Sequence, residues 1–406
     1  MRRFFLAWGV LTLWVVTACY NPATTTIDAN TSCAAGLWNH DGNAATPCIE
    51  WSRCRPGQFV ESPGTAVADQ RCASCADATF STATNTTTCA LWTECIKDEK
   101  VATAGSAIGD RVCEACPTDE VSVPPNATAC RPVDLYVASY NTGAVQKFAV
   151  GANGNAAPIN NLQGAATGFS SPSGVTVFND ELFVSDQGNG SVRVFANAST
   201  ATGNVAPIRV LEGITTELSI PRGLMVYNNE LYVLIAGGIA VFPIDATGNV
   251  APTRLMKSST LSVGGIDMKI VNDEIFVGND RASCLVFAAN GNGEVTPLRQ
   301  FTVSVANGIA VRGAELFVTT GNNNSVQVFP TNANGVATPL RTIAGATTML
   351  SYANRAFIFG TQLYVANFSA SSITIFDIND SGDVAPTRTI SGDNTLINGA
   401  WGIWIE

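Results

Sequence analysis

Residues 174–195 read GVTVFNDELFVSDQGNGSVRVF, and this stretch decides the fold of the larger part of the chain. Residues 174–178 read as an alternating strand and 181–185 as a second strand, on either side of Asn179-Asp180, a pair that suits a tight hairpin turn. A glycine-rich loop at 188–190 leads to a third run at 191–195, and a fourth follows at 208–211. Four short strands in fewer than 50 residues, with no helical period, predict one blade of a β-propeller.

The same unit recurs along residues 133–406. A Leu/Ile-aromatic-Val triplet starts at positions 135, 182, 231, 275, 316 and 363, so six blades are predicted. The first unit lacks its innermost strand, and the chain supplies the missing piece at its other end, GIWI at 402–405. We therefore expect an all-β, six-bladed β-propeller whose C-terminal strand closes the first blade.

This region resembles six-bladed NHL-type and lactonase-like propellers along its whole length. The resemblance implies the fold, but such propellers carry many functions. Lactonase-like members use metal-bound Glu, Asp and Asn, often with histidine. Residues 133–406 contain no histidine and no Ser-His arrangement, so we expect no catalytic residue, no metal and no cofactor.

A second repeat occupies residues 33–130, which hold ten of the twelve cysteines. Cys48, Cys54, Cys72 and Cys75 recur 41 positions later as Cys89, Cys95, Cys113 and Cys116. Only 13 of residues 31–130 are Ile, Leu, Val or Phe, too few to build a core, so disulfides must replace it. Long gaps alternate with short C-x5-C and C-x2-C gaps, which predicts the pairs 33–48, 54–72, 75–89, 95–113 and 116–130.

The cysteine repeat is similar to the cysteine-rich repeats of tumour-necrosis-factor-receptor type. Trp51, Gly64 and Asp69 carry the resemblance together with the cysteines, and they recur in the second copy as Trp92, Gly105 and Asp110. The unit has four cysteines rather than six, so no ligand-binding residue is transferred from the family. Zinc at the two C-x2-C pairs is the alternative, but export disfavours free thiolates. The lone histidine, His40, is interpreted as a solvated loop residue.

The N-terminus predicts export. Arg2 and Arg3 precede an apolar run at 4–16 that is too short to span a bilayer, and Val-Thr-Ala-Cys19 resembles the lipobox of bacterial lipoproteins. Residues 1–18 are predicted to be a signal peptide, Cys19 the lipidated anchor and 19–32 a flexible tether. Cleavage after Ala18 without lipidation is the alternative. Tyr20 follows the cysteine rather than Asp, which favours the outer membrane or cell surface.

Charge and loop positions guide the prediction of function. The net charge of −10 and the pI of 4.7 argue against nucleic acid as a partner. The loops before the innermost strands and after the second strands form the usual ligand face of a propeller. The candidate ligand-binding residues there are Asp186, Arg222, Asp280, Asn307, Asn354 and Trp401, and Ser173, Asn279 and Asn367 occupy similar positions.

These residues could bind a polar ligand such as a glycan or a protein segment. We therefore expect a non-catalytic binding or scaffold lipoprotein, held to the membrane by its N-terminal lipid. A metal-dependent hydrolase or lactonase at the channel mouth is the alternative. The once-per-blade Arg209, Arg254, Arg299, Arg341 and Arg388 are interpreted as solvated, Cys284 as a buried free thiol, and the EF-hand-like loop from Asp377 as a repeated turn.

Overall fold

The structure is a computed structural model that describes residues 33–96, 98–117, 120–122, 126–261 and 265–406. The predicted signal peptide, Cys19 and the whole of the predicted tether lie outside the described residues. The chain divides into two compact units: residues up to Thr93 with Thr103–Val112, and Glu94–Ala102 with Cys113–Glu406. The last part of the cysteine-rich region thus belongs to the same unit as the propeller.

The cysteine-rich region consists of short two-stranded sheets. They pair β1 Leu37–Trp38 with β2 Ile49–Glu50, β3 Gln58–Ser62 with β4 Arg71–Ser74, β5 Thr79–Phe80 with β6 Ala90–Leu91, β7 Glu99–Thr103 with β8 Val112–Ala115, and β9 Glu120–Val121 with β10 Arg131–Pro132.

The disulfides in this region are the five predicted pairs. They join Cys33 to Cys48, Cys54 to Cys72, Cys75 to Cys89, Cys95 to Cys113, and Cys116 to Cys130. Because all ten cysteines are used, the zinc alternative is wrong.

A tryptophan packed on a glycine explains part of the 41-residue period. A Cβ added to Gly64 would lie 2.4 Å from Cδ2 of Trp51, and a Cβ added to Gly105 would lie 2.4 Å from Cδ2 of Trp92. The indole N–H of each tryptophan then donates to the backbone carbonyl of the residue after its glycine, at 3.1 and 3.0 Å. Only glycine leaves room for the ring at this contact.

A carboxylate clamp explains the recurring aspartates. Asp69 accepts hydrogen bonds from the backbone N–H and the hydroxyl of Ser52 at 2.6 and 2.5 Å. Asp110 accepts the same two bonds from Thr93, both at 2.6 Å. These bonds lower the pKa of both carboxyl groups. Each clamp crosses the loop that a disulfide closes, so two local devices replace a hydrophobic core.

The six blades contain 25 strands among the described residues. Blade 1 has β11 Asp134–Ser139, β12 Ala144–Ala149 and β13 Asn160–Gln163. Blade 2 has β14 Pro172–Phe178, β15 Glu181–Asp186, β16 Ser191–Phe195 and β17 Arg209–Glu212. Blade 3 has β18 Leu224–Tyr227, β19 Glu230–Ile235, β20 Gly238–Pro243 and β21 Arg254–Lys257. Blade 4 has β22 Gly265–Val271, β23 Glu274–Asn279, β24 Ser283–Ala288 and β26 Arg299–Thr302, and the short β25 Gly293–Glu294 pairs with blade 3. Blade 5 has β27 Ala306–Arg312, β28 Glu315–Thr320, β29 Ser325–Pro330 and β30 Arg341–Ala344. Blade 6 has β31 Ala353–Phe359, β32 Gln362–Asn367, β33 Ser372–Asp377 and β34 Arg388–Ile390, and the last strand is β35 Ala400–Ile405.

Short 3-10 helices precede four of the inner strands among the described residues. They span Ala165–Thr167, Ile214–Thr216, Ala346–Thr348 and Asp393–Thr395.

The ring closes as the sequence predicts. β35 pairs antiparallel with β11, with Leu135 opposite Ile405, Tyr136 opposite Trp404 and Val137 opposite Ile403. The order β13-β12-β11-β35 completes blade 1 as a four-stranded sheet. The two ends of the propeller region are therefore held in one sheet, and the prediction of an all-β, six-bladed propeller behind a disulfide-rich region is confirmed.

The hydrophobic core lies between neighbouring blades. One cluster joins Leu135 and Phe148 of blade 1 to Tyr364 and Ile373 of blade 6, and all four are fully buried. A phenylalanine at the last or next-to-last position of the third strand is at most 1% exposed in every blade: Phe148, Phe195, Phe242, Phe287, Phe329 and Phe376. Cys284 is buried and free in another such cluster, as predicted.

The repeated glycine turns join each blade to the one before it. Gly203 of blade 2 forms a parallel bridge with Leu162 of blade 1, and its N–H donates to the Asn161 carbonyl at 2.7 Å. The same glycine recurs in all six blades with φ between 65° and 79°, a conformation that favours glycine: Gly154, Gly203, Gly248, Gly293, Gly335 and Gly382. The loop from Asp377 contains one of these glycines, so its pattern belongs to the turn.

The interpretation of the repeated arginines as solvated is wrong. Arg299 makes two hydrogen bonds of 2.7 Å to Glu274 of its own blade and donates to the Thr331 carbonyl of the next blade at 3.2 Å. A bidentate carboxylate holds the guanidinium in plane while its free N–H reaches across the blade boundary. The bidentate pairs are Arg209–Glu181, Arg299–Glu274 and Arg341–Glu315. Arg254 makes a single hydrogen bond to Glu230, and Arg388 bonds Gln362 instead.

The inner strands surround a channel whose ends can be told apart. We call the end at the N-termini of β35, β14, β18, β22, β27 and β31 the upper mouth, and the opposite end the lower mouth. Arg355 of blade 6 reaches Asp267 of blade 4 past the intervening blade 5, with Nη1 and Oδ1 2.8 Å apart. This ion pair lies across the channel between the two mouths.

Candidate functional site: the upper mouth of the propeller

A β-bulge occupies the same position near the start of the inner strands. The strand register shifts around Ser173, Ile266 and Asn307, and around Asn354 in blade 6. Trp401 takes the equivalent place in blade 1, and Arg222 lies two residues before the inner strand of blade 3. A bulge adds one residue to a strand and re-aims its side chain, and bulges are common beside functional sites. The upper mouth therefore carries a re-aimed residue from five blades, and Arg222 from the loop before the inner strand of blade 3.

Four of these six residues have buried polar atoms without a partner in the part of the chain that the structure describes. Asn307 and Asn354 are at most 1% exposed, and both the oxygen and the nitrogen of each side-chain amide lack a hydrogen bond. The indole nitrogen of Trp401 and Nε of Arg222 are in the same state. Most buried polar groups in proteins are paired, so such a concentration is unusual. These are groups that a ligand or ordered water would satisfy.

Arg222 and Asp280 supply opposite charges to the upper mouth. The Arg222 guanidinium makes only a long hydrogen bond of 3.4 Å to the Gly265 carbonyl and has no ion pair among the described residues. Burial lowers the pKa of Arg222, and the nearby Asp280 carboxylate opposes that shift. Asp280 is exposed. A cation that is partly desolvated and not engaged by a carboxylate favours an anionic partner.

Four aromatic rings pack together at the upper mouth between blades 6 and 1. Tyr140 stacks on Trp401 with ring centroids 4.8 Å apart and an interplanar angle of 27°. Phe368 meets Trp401 edge-on at 5.2 Å and contacts Tyr352 at 5.9 Å. All four side chains are half-buried, so they present ring surface to solvent. Flat aromatic faces with a polar edge are well suited to a ligand that has both apolar and polar faces.

Comparisons with known proteins recognise the cysteine-rich region. Residues 33–72 match the family described as the TNFR/NGFR cysteine-rich region. Tumor necrosis factor receptor superfamily member 14 of Mus musculus is 33% identical over 78 residues, which are 19% of this chain and 24% of that protein. The chain thus spans about a quarter of that relative.

Two solved structures are similar over most of the chain. A chain of the nidogen–laminin complex aligns over 67% of this chain and 98% of its own length, with 13% identity and a TM-score of 0.48. The computationally designed Ika8 protein aligns over 72% of this chain and 86% of its own length, with 12% identity and a TM-score of 0.40.

The chain has a TNFR-type cysteine-rich region followed by a six-bladed β-propeller. Its disulfide-rich region is of the extracellular type. No helix in the described residues is both long and apolar enough to cross a membrane. Those residues also contain no group of three or more His, Cys, Asp and Glu side chains placed to hold a metal ion.

Asp186 is a loop-holding residue rather than an open ligand group. Its carboxylate is fully buried and accepts hydrogen bonds from the backbone N–H groups of Ser170 and Ser171, at 2.7 and 2.8 Å. Asn189 donates to the same carboxylate at 3.0 Å. Because both oxygens are occupied, we remove Asp186 from the candidate ligand-binding set.

The other residues predicted at this mouth are either held by hydrogen bonds within the protein, as Asp186 is, or remain available to a ligand. Asn367 accepts the Ser351 N–H at 3.0 Å, and Asn279 donates to the Thr260 carbonyl at 2.9 Å. Ser173 donates to the Pro221 carbonyl at 2.9 Å. These three are fully buried and hold loops together. Arg222, Asp280, Asn307, Asn354 and Trp401 remain as candidates.

Sequence reasoning missed three of the four aromatic residues. Tyr140 and Phe368 each follow the last residue of a second strand, in LYVASY and LYVANF, so their matched positions in blades 1 and 6 were a usable signal. Tyr352 has φ of 51°, which is unusual for a bulky side chain. Its Cε1 would lie 3.3 Å from a Cβ added to Gly321, whose nearest neighbour would be the Asn307 amide. Tyr352 therefore joins the aromatic cluster to the unpartnered amides.

Proposed function

We propose that this chain is an exported, lipid-anchored, non-catalytic binding protein that holds its ligand at the upper mouth of the propeller. The observation that carries the proposal is the set of buried, unpartnered polar atoms on Asn307, Asn354, Trp401 and Arg222. All four residues occupy equivalent positions of different blades, beside exposed aromatic surface. A ligand that replaced missing hydrogen bonds at four points of the ring would be bound with a defined orientation.

The chemistry of the mouth favours a glycan that carries an acidic group. A sugar ring has an apolar face that packs on flat aromatic side chains such as Tyr140 and Trp401. Its hydroxyl groups both donate and accept, which matches the two amides of Asn307 and Asn354. An acidic substituent would pair with the Arg222 guanidinium, whose planar fork suits a carboxylate.

The cysteine-rich region and the N-terminal sequence support display outside the cytoplasm. Five disulfides in residues 33–130 require an oxidising compartment. The lipobox-like Val-Thr-Ala-Cys19 supports attachment to a membrane by lipid, with the outer membrane or cell surface as the location. In the sequence, the cysteine-rich region lies between the proposed anchor and the propeller.

The test is binding of the purified protein to a panel of acidic and neutral glycans. We expect an acidic glycan to bind, and Arg222→Ala, Asn307→Ala and Trp401→Ala each to weaken it by about 2 kcal/mol or more, the usual size of a hot-spot effect. Arg312→Ala is the matched control, because Arg312 is an exposed arginine at the opposite end of an inner strand. Folding is checked by thermal melting of every variant.

Two results would count against this function. Glycan binding that is unchanged in all three variants would place the site elsewhere. Hydrolysis of a lactone or ester that depends on added Ca²⁺ or Zn²⁺ and stops with Asp280→Asn would favour the hydrolase alternative instead.

A further inference from the structure

The lower mouth of the channel contains a pocket with a volume of about 170 Å³. Its walls come from inner strands of five different blades and are mostly apolar, with Met225, Ala310, Ile358, Phe357 and Trp404 among them. The pocket is open to solvent, since Trp404, Phe357 and Met225 are only half-buried. The proposed function of the upper mouth does not use this pocket.

One charged group lies in this apolar pocket, the ammonium of Lys269. Nζ is 5.1 Å from the ring centroid of Phe357 and 5.3 Å from that of Trp404. These two rings are themselves in edge-to-face contact, with centroids 5.2 Å apart. Within the described ranges, the ammonium has neither a hydrogen-bond acceptor nor a carboxylate at ion-pair distance. A lysine in apolar surroundings is normally paired, and this half-buried one has no counter-ion among the described residues.

The nearest acidic group is already engaged. Asp267 lies two residues before Lys269 on the same strand, but its Oδ1 binds Arg355 at 2.8 Å and its Oδ2 accepts the Ile309 N–H at 3.1 Å. Burial lowers the pKa of Lys269, Arg355 adds to the shift and Asp267 opposes it. An external anion would compensate the ammonium charge, which Asp267 does not do because it is already paired.

We propose that the lower mouth binds a small apolar monocarboxylate, whose carboxylate pairs with Lys269 and whose hydrocarbon body lies against Phe357, Trp404 and Met225. A hydrated dianion such as phosphate is disfavoured because the walls cannot replace its water. The ligand is about the size of benzoate or hexanoate, since an apolar cavity of about 150 Å³ accepts benzene. Strands from five blades form the site, so it exists only in the closed ring.

The two mouths are separate sites. Asp267 and Arg355 each lie two residues before a pocket residue, Lys269 on β22 and Phe357 on β31, so their ion pair lies above the pocket. Both side chains of the pair are at most 6% exposed. A ligand at the lower mouth therefore does not reach Arg222, and failure of the upper-mouth proposal leaves this one intact.

The experiment is calorimetric titration of the full-length protein with sodium benzoate and sodium hexanoate. Benzyl alcohol and benzylamine are the neutral and cationic probes of matched shape. We expect the carboxylates to bind, and Lys269→Met to weaken them by about tenfold or more, the loss typical of a hydrogen bond to a charged group. Lys269→Arg should retain most of the affinity. Lys257→Met is the matched control, because Lys257 is exposed on an outer strand.

A second variant tests the pocket without touching the charge. Ala310→Leu should fill the apolar space and abolish carboxylate binding while Lys269 remains, and thermal melting should show that the variant is folded. The proposal is overturned if neither carboxylate binds the wild-type protein. It is equally overturned if Lys269→Met binds as wild type does, if benzyl alcohol binds as tightly as benzoate, or if Arg222→Ala abolishes binding and Lys269→Met does not.

Discussion

Arg355 and Asp267 form a buried ion pair that links three blades across the channel. Arg355 Nη2 donates to the Ile266 carbonyl at 2.8 Å, and Asp267 Oδ2 accepts the Ile309 N–H at 3.1 Å. The side chains are 6% and 4% exposed. Blades 4, 5 and 6 are thus connected through polar groups at the axis, in addition to the apolar clusters between neighbouring blades.

Breaking this pair should destabilise the propeller strongly. We expect Arg355→Met to lower the free energy of unfolding by about 3–5 kcal/mol, because it leaves the Asp267 carboxylate buried without its cation. Urea unfolding followed by fluorescence measures the change. The double variant Asp267→Asn with Arg355→Met should recover most of the loss. A single variant as stable as wild type would show that the pair carries little energy.

Removal of the last strand should destabilise far more than trimming an ordinary terminus. Deletion of residues 399–406 removes the partner of β11 and strips Ile403 and Ile405, both at most 5% exposed, from the core. Each such side chain contributes about 1.5–3 kcal/mol on burial. Leu396→Ala, at a half-exposed site just before the strand, is the control. Thermal melting is the measurement, and a shortened protein that melts within about a degree of the intact one would contradict this closure.

The Arg–Glu pairs within the blades should make stability fall in acid. Hydrogen bonds from Arg299 and Arg341 lower the pKa of Glu274 and Glu315 below the ordinary value of 4.5. A depressed carboxyl pKa contributes stability that is complete above the unfolded-state pKa and is lost as pH falls through the native pKa. We therefore expect urea midpoints to decrease once the pH drops below about 4.5.

Glu315→Gln separates this effect from general acid unfolding. Gln362 of blade 6 already accepts from Arg388 at 2.7 Å without a charge, so glutamine fits the arrangement. The variant should be less stable than wild type at neutral pH and should lose less stability between about pH 5 and pH 3. Identical pH profiles for the two proteins would remove Glu315 from the explanation.

The proposed lipid anchor makes a separate prediction. Cys19→Ser should abolish acylation and release the exported protein into the soluble fraction, since a lone signal peptide cannot hold it. Fractionation with metabolic labelling by a fatty-acid analogue is the measurement. Cys284→Ser is the matched control, because that buried thiol, whose pKa burial raises to about 12, is inaccessible. Retention of the Cys19→Ser protein after an alkaline wash would require another anchor.

Much of the fold follows from local patterns in the sequence. Period-two alternation and hairpin pairs such as Asn179-Asp180 act over a few residues, and the structure has positive φ at both positions. The five disulfides follow from cysteine spacing because each closes a loop of 14 to 18 residues. Closure of the ring could also be predicted from the sequence, because the first repeat lacks its inner strand and residues 402–405 have the pattern of that strand.

The chemistry of the two mouths was decided by the tertiary structure alone. The repeated strand pattern of the sequence predicts that Asp186 and Asn307 lie near strand ends. It does not predict that both carboxylate oxygens of Asp186 accept hydrogen bonds while the Asn307 amide has no partner among the described residues. Tyr140 meets Trp401, and Lys269 meets Trp404, only after more than a hundred residues of chain have closed into a ring. The two-residue period of a strand determines which side chains face inward, since successive side chains point to opposite faces of the sheet. Which inward groups find partners depends on contacts between blades, and those exist only in the closed propeller.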